Sequence, residues 1–388
     1  MAGIIFFDNA STTKVDDRVF EAMTPYFTQQ YGNPASLHDL GQSAEDAVEG
    51  SRRHVASLIG AKPEEIYFTS CGTESNNFSL FGLAKSLKGR GRHIISSSIE
   101  HISILNPLKD LKKEGWDHTL LPVDEYGSVS PEDLKKAIRE DTALISIMHA
   151  NNEVGTIQNL EDLGKIARDN DITFHSDGVA SAGIIPVDVK KLGVDSYSFT
   201  SQQMYGPKGA AALYVRKGLR IKPYLIGGTQ ERGRRAGTEN VPAIVGFGQA
   251  ARIAKQELGK NAAYLEGLRN AMIEGIMAGI DNVKLNGHPQ KRLPGNVHVS
   301  FEYIEGESIL LLLNMEGIAA ASGSSCVSQA LKNSQVLISM GLSPTTAQGS
   351  VLFSLGKFNK RQEIDKTLEV LPPIIEKLRK MSPLYKES

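Results

Sequence analysis

Glu65-Ile66-Tyr67-Phe68-Thr69-Ser70-Cys71-Gly72-Thr73-Glu74-Ser75-Asn76-Asn77 packs a β-branched and aromatic run, a small-residue turn and the opening of a helical stretch into one short segment. The run predicts a strand over 65–69, Gly72 makes the turn, and the helical period continues over 74–87. Outward from it the pattern repeats. Strands are predicted at 93–97, 143–149, 173–176, 196–200 and 211–215, with helices at 43–59, 130–139 and 160–169. Such alternation favours a mostly parallel sheet flanked by helices, an α/β fold. Over 241–278 the strand signals stop and a long Ala, Leu, Glu and Arg-rich helix follows, with a domain boundary expected inside it. Beyond Asn282 the pattern turns mixed, with a strand at 296–301 and helices at 307–315 and 363–381, which predicts a smaller α+β domain.

The chain has 388 residues, 40% apolar and 22% charged, which excludes a disordered or low-complexity protein. Lys and Arg number 43 against 44 Asp and Glu, so no global basic field invites nucleic acid or an anionic membrane, and neither is expected as a partner. Cys71 and Cys326 are too few for a disulfide framework or a four-thiolate metal site. The opening MAGIIFFDNAST lacks the basic and apolar regions of a signal peptide, and no run of about 18 apolar residues follows. A cytoplasmic location is expected.

Three constellations carry chemistry. In 69–77, free N–H groups at a helix start, a hydroxyl and the positive dipole end suit a phosphate, although capping alone explains the same residues. Cys71 sits in that tight turn, where it is expected to have no room to travel. Asp177, in His175-Ser176-Asp177-Gly178, ends an apolar strand where α/β sheets bind ligands. It suits either the protonated nitrogen of a pyridinium ring or a helix cap. Cys326 closes the loop Ala321-Ser322-Gly323-Ser324-Ser325-Cys326, fit for a nucleophilic or sulfur-carrying thiol or for an inert turn cysteine.

Together with Phe7-Asp8-Asn9-Ala10-Ser11-Thr12-Thr13, Tyr31-Gly32-Asn33-Pro34-Ala35-Ser36, Ile99-Glu100-His101, His149 to Gly155, Tyr205-Gly206-Pro207-Lys208-Gly209, Gln230 to Asn240 and Met381-Ser382-Pro383-Leu384-Tyr385, these segments resemble the NifS/IscS cysteine desulfurases. These are class V aminotransferase-like, fold-type I enzymes that use pyridoxal phosphate. The resemblance implies a large cofactor-binding domain over 15–257 and a small domain of 1–14 and 258–388 that carries Cys326. Gly72 and Thr73 would then cradle the phosphate, with Thr200 keeping a hydroxyl beside it. His101 would stack on the pyridoxal, Asn152 lie near its phenolic oxygen and Asp177 pair with its nitrogen. Thr238 would reach the phosphate across a homodimer interface. Cys326 would be the thiolate that takes sulfur as a persulfide, with His101 beside it in catalysis.

Against that pattern, Gln203 stands where the family has the lysine that carries the cofactor covalently, and a carboxamide nitrogen is not a nucleophile. Gln202 replaces a phosphate-side histidine, and Ala180 a glutamine at the ring oxygen. Leu352 replaces the arginine that grips the substrate carboxylate and supplies no bidentate clamp. Lys208 has its own counterpart in the family and is not expected to substitute. Pyridoxal phosphate is therefore expected to be non-covalent or absent.

The resulting expectation is a sulfur-handling homologue acting through Cys326 in iron-sulfur cluster assembly. An IscU-like scaffold or other sulfur acceptor would be its partner, and Cys326 could contribute one ligand to a cluster shared with that partner. The alternatives are a working cysteine desulfurase with unattached cofactor and a structural pseudoenzyme.

Overall fold

The computed structural model describes residues 3–323 and 334–385. Cys326 and the segment around it lie outside the described residues.

The strand of the opening segment, Ile66–Thr69, belongs to a seven-stranded sheet. From one edge, the strand order is Ile66–Thr69, Ala211–Val215, Ser196–Thr200, Thr173–Asp177, Thr142–Ser146, His93–Ser97 and Asp117–Leu121. Ala211–Val215 runs antiparallel to both neighbours, and the five strands from Ser196–Thr200 onward are mutually parallel. The central strands are buried on both faces, which is why they read as continuous apolar runs.

One face packs Val55, Phe68, Ile145, Phe174, Phe199 and Phe247 into a core. The other buries Phe78, Leu83, Ile94, Leu144 and Leu213 under the helix Gly72–Leu87. A further core forms around the antiparallel strands Val283–Leu285, Asn296–Phe301 and Ser350–Ser354 with the helix Arg361–Met381. Phe7, near the N-terminus, joins this core.

The helix Val241–Gly279 ties the cores together. Val241, Ile244 and Phe247 bury into the first, whereas Leu265, Leu268, Met272 and Ile276 bury into the last. At 1.5 Å per residue this helix is about 58 Å long, enough to serve both. No helix among the described residues is long and apolar enough to cross a membrane.

Candidate active site

A cavity of about 350 Å³ opens at the carboxyl ends of the sheet strands, where parallel α/β sheets place ligands. Each of four strands delivers lining residues just at or past its end: Gly72 and Thr73 after Ile66–Thr69, His101 after His93–Ser97, Asp177 at the tip of Thr173–Asp177, and Thr200 at the tip of Ser196–Thr200. Gln202, Gln203 and Asn152 line the same space. The other wall comes from the second half of the chain, through Leu265, Leu293, Asn296, Leu352 and Ser354.

Gly72 sits where the helix Gly72–Leu87 begins, and a Cβ there would come within 2.7 Å of Val179 and 3.2 Å of Thr200. Its absence lets the helix start pack closely against Val179 and Thr200 at the cavity wall. Thr200 is buried, and its hydroxyl has no hydrogen-bond partner. Asp177 accepts from the main-chain N–H of Val179 at 2.9 Å and from Asn76 Nδ2 at 2.7 Å, so a hydrogen-bonded frame aims its carboxylate.

Gln203 Nε2 donates to the carbonyl of Ala10 at 2.8 Å, and Gln202 Nε2 reaches that of Ser11 at 3.5 Å. The two carboxamides thus tether the N-terminal segment. Among the described residues lining the cavity there is no lysine and no arginine. Lys208 is exposed and is not among them. Lys357 lies over the ring of Tyr205, a wall residue, but its Nζ is bound to Asp16 Oδ2 at 2.5 Å. A lysine held as an ammonium ion in an ion pair is not a nucleophile.

The thiol in the opening turn departs from expectation. Cys71 is exposed and lines the cavity. Its Sγ accepts from the Glu74 main-chain N–H at 3.5 Å, so the side chain serves as the helix cap and faces outward instead of filling the turn. Thr238 lines a separate, smaller cavity of about 200 Å³ with Arg235, Glu231 and Asn240, apart from Asp177 within one chain. Among the described residues no group of three or more His, Cys, Asp or Glu is placed to hold a metal.

Beneath His101, Glu100 is buried and accepts from Ser97 Oγ at 2.6 Å and the Met148 main-chain N–H at 2.9 Å, while its Oε2 has no partner. Burial pushes its carboxyl up to about 8. The native state therefore holds a proton that the unfolded chain releases above about pH 4.5, and the stability tied to it is lost as pH rises towards 8. Glu100→Gln is expected to flatten the decline of urea midpoint between about pH 5 and 8. An unchanged slope would contradict this assignment.

The aminotransferase class-V family matches residues 5–367. The cysteine desulfurase IscS of Methanosarcina thermophila is 50% identical over 380 residues, 98% of this chain and 94% of its own length. Cysteine desulfurase IscS 1 of Archaeoglobus fulgidus is 49% identical over 381 residues, 98% and 99% of the two chains. A solved NifS-like protein superposes with a TM-score of 0.91 at 40% identity, covering 97% of this chain and all of its own. The chain belongs to the aminotransferase class-V family, among its IscS and NifS cysteine desulfurases.

The cofactor of this family, pyridoxal phosphate, is met by this cavity in part. The helix start, the unpartnered Thr200 hydroxyl and the framed carboxylate of Asp177 fit its phosphate and ring nitrogen. For covalent attachment the fit is lacking, because among the described residues lining the cavity there is no lysine.

Proposed function

We propose that the chain handles sulfur for iron-sulfur cluster assembly through Cys326 and holds pyridoxal phosphate, when it binds, without a covalent bond. Under this reading Gly72, Thr73 and Thr200 hold the phosphate, Asp177 pairs with the ring nitrogen, His101 covers the ring and Asn152 lies near its phenolic oxygen. Gln202 and Gln203 close the floor. Bound pyridoxal phosphate supplies an electron sink for an amino acid. The chain acts as a homodimer in which Thr238 serves the neighbouring cavity, and it delivers sulfur to an IscU-like scaffold or another acceptor. One observation supports the proposal: Gly72, Thr73, Asp177 and Thr200 line one cavity, and the described residues around it include no lysine and no arginine.

The sulfur step needs no oxidant. The Cys326 thiolate attacks the outer sulfur of a persulfide or polysulfide donor, the donor S–S bond breaks, and the donor leaves as a thiolate. The second reading, a working desulfurase with unattached cofactor, is favoured by the names of relatives about half identical to this chain. Alanine release from cysteine separates the two.

The test is reversibility. Pyridoxal phosphate bound to the purified chain is expected to dialyse away, and borohydride is expected to fix none of it. Mass spectrometry finding the cofactor on Lys208 or Lys357 would contradict the reading.

A further inference from the structure

Asn76, Ser103 and His101 form a hydrogen-bonded chain that starts on Asp177. Asn76 Nδ2 stands 2.7 Å from Asp177 Oδ2 and 2.9 Å from Ser103 Oγ, and Ser103 Oγ stands 2.7 Å from His101 Nδ1. Asn76 is fully buried, and Ser103 and Asp177 nearly so.

Two fixed groups set the direction of every proton in this chain. A carboxylate only accepts, so Asn76 must turn its nitrogen towards Asp177, and its two N–H groups are then given to Asp177 and Ser103. Turning the amide over would set two oxygens against each other. The outcome leaves Asn76 Oδ1 buried without a partner, the cost of keeping this direction. Ser103 Oγ, already an acceptor, has its own proton left for His101 Nδ1. The Ser103 main-chain N–H also reaches Nδ1, at 3.1 Å, and that group is a donor whatever the side chains do. With donors on Nδ1, the neutral imidazole carries its proton on Nε2.

We infer that Asn76 and Ser103 are positioning residues that hold His101 as the Nε2–H tautomer, a hydrogen-bond donor on the cavity wall linked to the Asp177 carboxylate. The described residues lining the cavity include no lysine or arginine, so His101 is the donor there that suits a ligand acceptor such as a phenolate or carboxylate oxygen or a thiolate sulfur. The identity of that ligand rests on the function proposed above, whereas the tautomer does not.

Nitrogen NMR of protein labelled in histidine, with no cofactor added, reads the tautomer; His101→Gln identifies the signals. The wild type is expected to show protonated Nε2 and unprotonated Nδ1. Asn76→Asp removes one of the two donors: the new side chain takes the Ser103 hydroxyl proton, the Ser103 main-chain N–H is left alone on Nδ1 against the hydroxyl's lone pairs, and the Nδ1-protonated fraction rises above that of the wild type. Adding Ser103→Ala to Asn76→Asp restores unprotonated Nδ1. A wild-type ring protonated on Nδ1, or an Asn76→Asp spectrum unchanged from wild type, would overturn the inference.

Should Asn76→Asp not fold, equilibrium dialysis with pyridoxal phosphate provides a second test. Ser103→Ala is expected to weaken binding about fivefold to tenfold, and Ser103→Thr, which keeps the hydroxyl, by no more than about twofold. Equal binding by all three proteins overturns the inference. If the wild type binds no pyridoxal phosphate, the cofactor part of the proposed function falls while the tautomer is still decided by the spectra.

Discussion

Gln203→Lys is expected to yield a protein to which borohydride fixes one pyridoxal phosphate per chain, where the unaltered chain takes none. Gln203 lines the cavity and is almost fully buried, so a lysine there ends among the groups proposed to hold the cofactor. The substitution sacrifices the bond to the Ala10 carbonyl, a loss of about 1 kcal/mol. Turnover is expected to lag behind attachment, because under the proposed reading the substrate carboxylate meets the apolar side chain of Leu352, which lines the cavity. That residue sits in the middle of the strand Ser350–Ser354, paired with His298 and 2% exposed. Adding Leu352→Arg to Gln203→Lys supplies a charge-assisted pair of about 1.5–3 kcal/mol, which lowers the apparent KM for cysteine about tenfold or more. Equal KM values with and without the arginine would remove Leu352 from the account.

Loss of Cys326 is expected to abolish sulfur transfer. Cys326→Ser should form no persulfide with a polysulfide donor and pass no sulfur to a scaffold, while keeping the stability of the wild type within about 0.5 kcal/mol. The exposed Cys71 changes how this is measured, since a second accessible thiol in the cavity competes for any alkylating probe. The comparison therefore belongs in a Cys71→Ser background, which preserves the helix cap because serine is among the best N-cap residues. Full transfer by Cys326→Ser would leave the sulfur-handling reading without its central residue.

The sheet was legible because its inner strands are apolar on both faces and end in Gly, Ser and Asp turns; His93–Ser97, Ser196–Thr200 and Ala211–Val215 stand where the pattern puts them. The helix Ile102–Lys113 was not, since Pro107 interrupts its interior and argues locally against a helix. Asp117–Leu121 is an edge strand with exposed residues and little apolar signal. Ser350–Ser354 gains its ladder from Asn296–Phe301 and bridges to Asp8 and Ala321, none of them adjacent in sequence. In the site, Asp177 announced itself by its place at a strand end, whereas Thr200 and His101 were implied by the family resemblance. Asn76 and Ser103 were marked by neither, because one turn of helix carries each to the cavity and only the packing of two helices brings them together. The outward turn of Cys71 depends on backbone angles that its neighbours in sequence do not specify.

Sulfur placement is the most direct test of the account. The chain in its Cys71→Ser form, with no cysteine or cofactor supplied, would be treated with polysulfide, trapped with an alkylating agent and read by peptide mass spectrometry. The account predicts persulfide on the Cys326 peptide, and its loss as sulfur appears on an added scaffold. A Cys326 peptide that stays a plain thiol under these conditions would contradict the account.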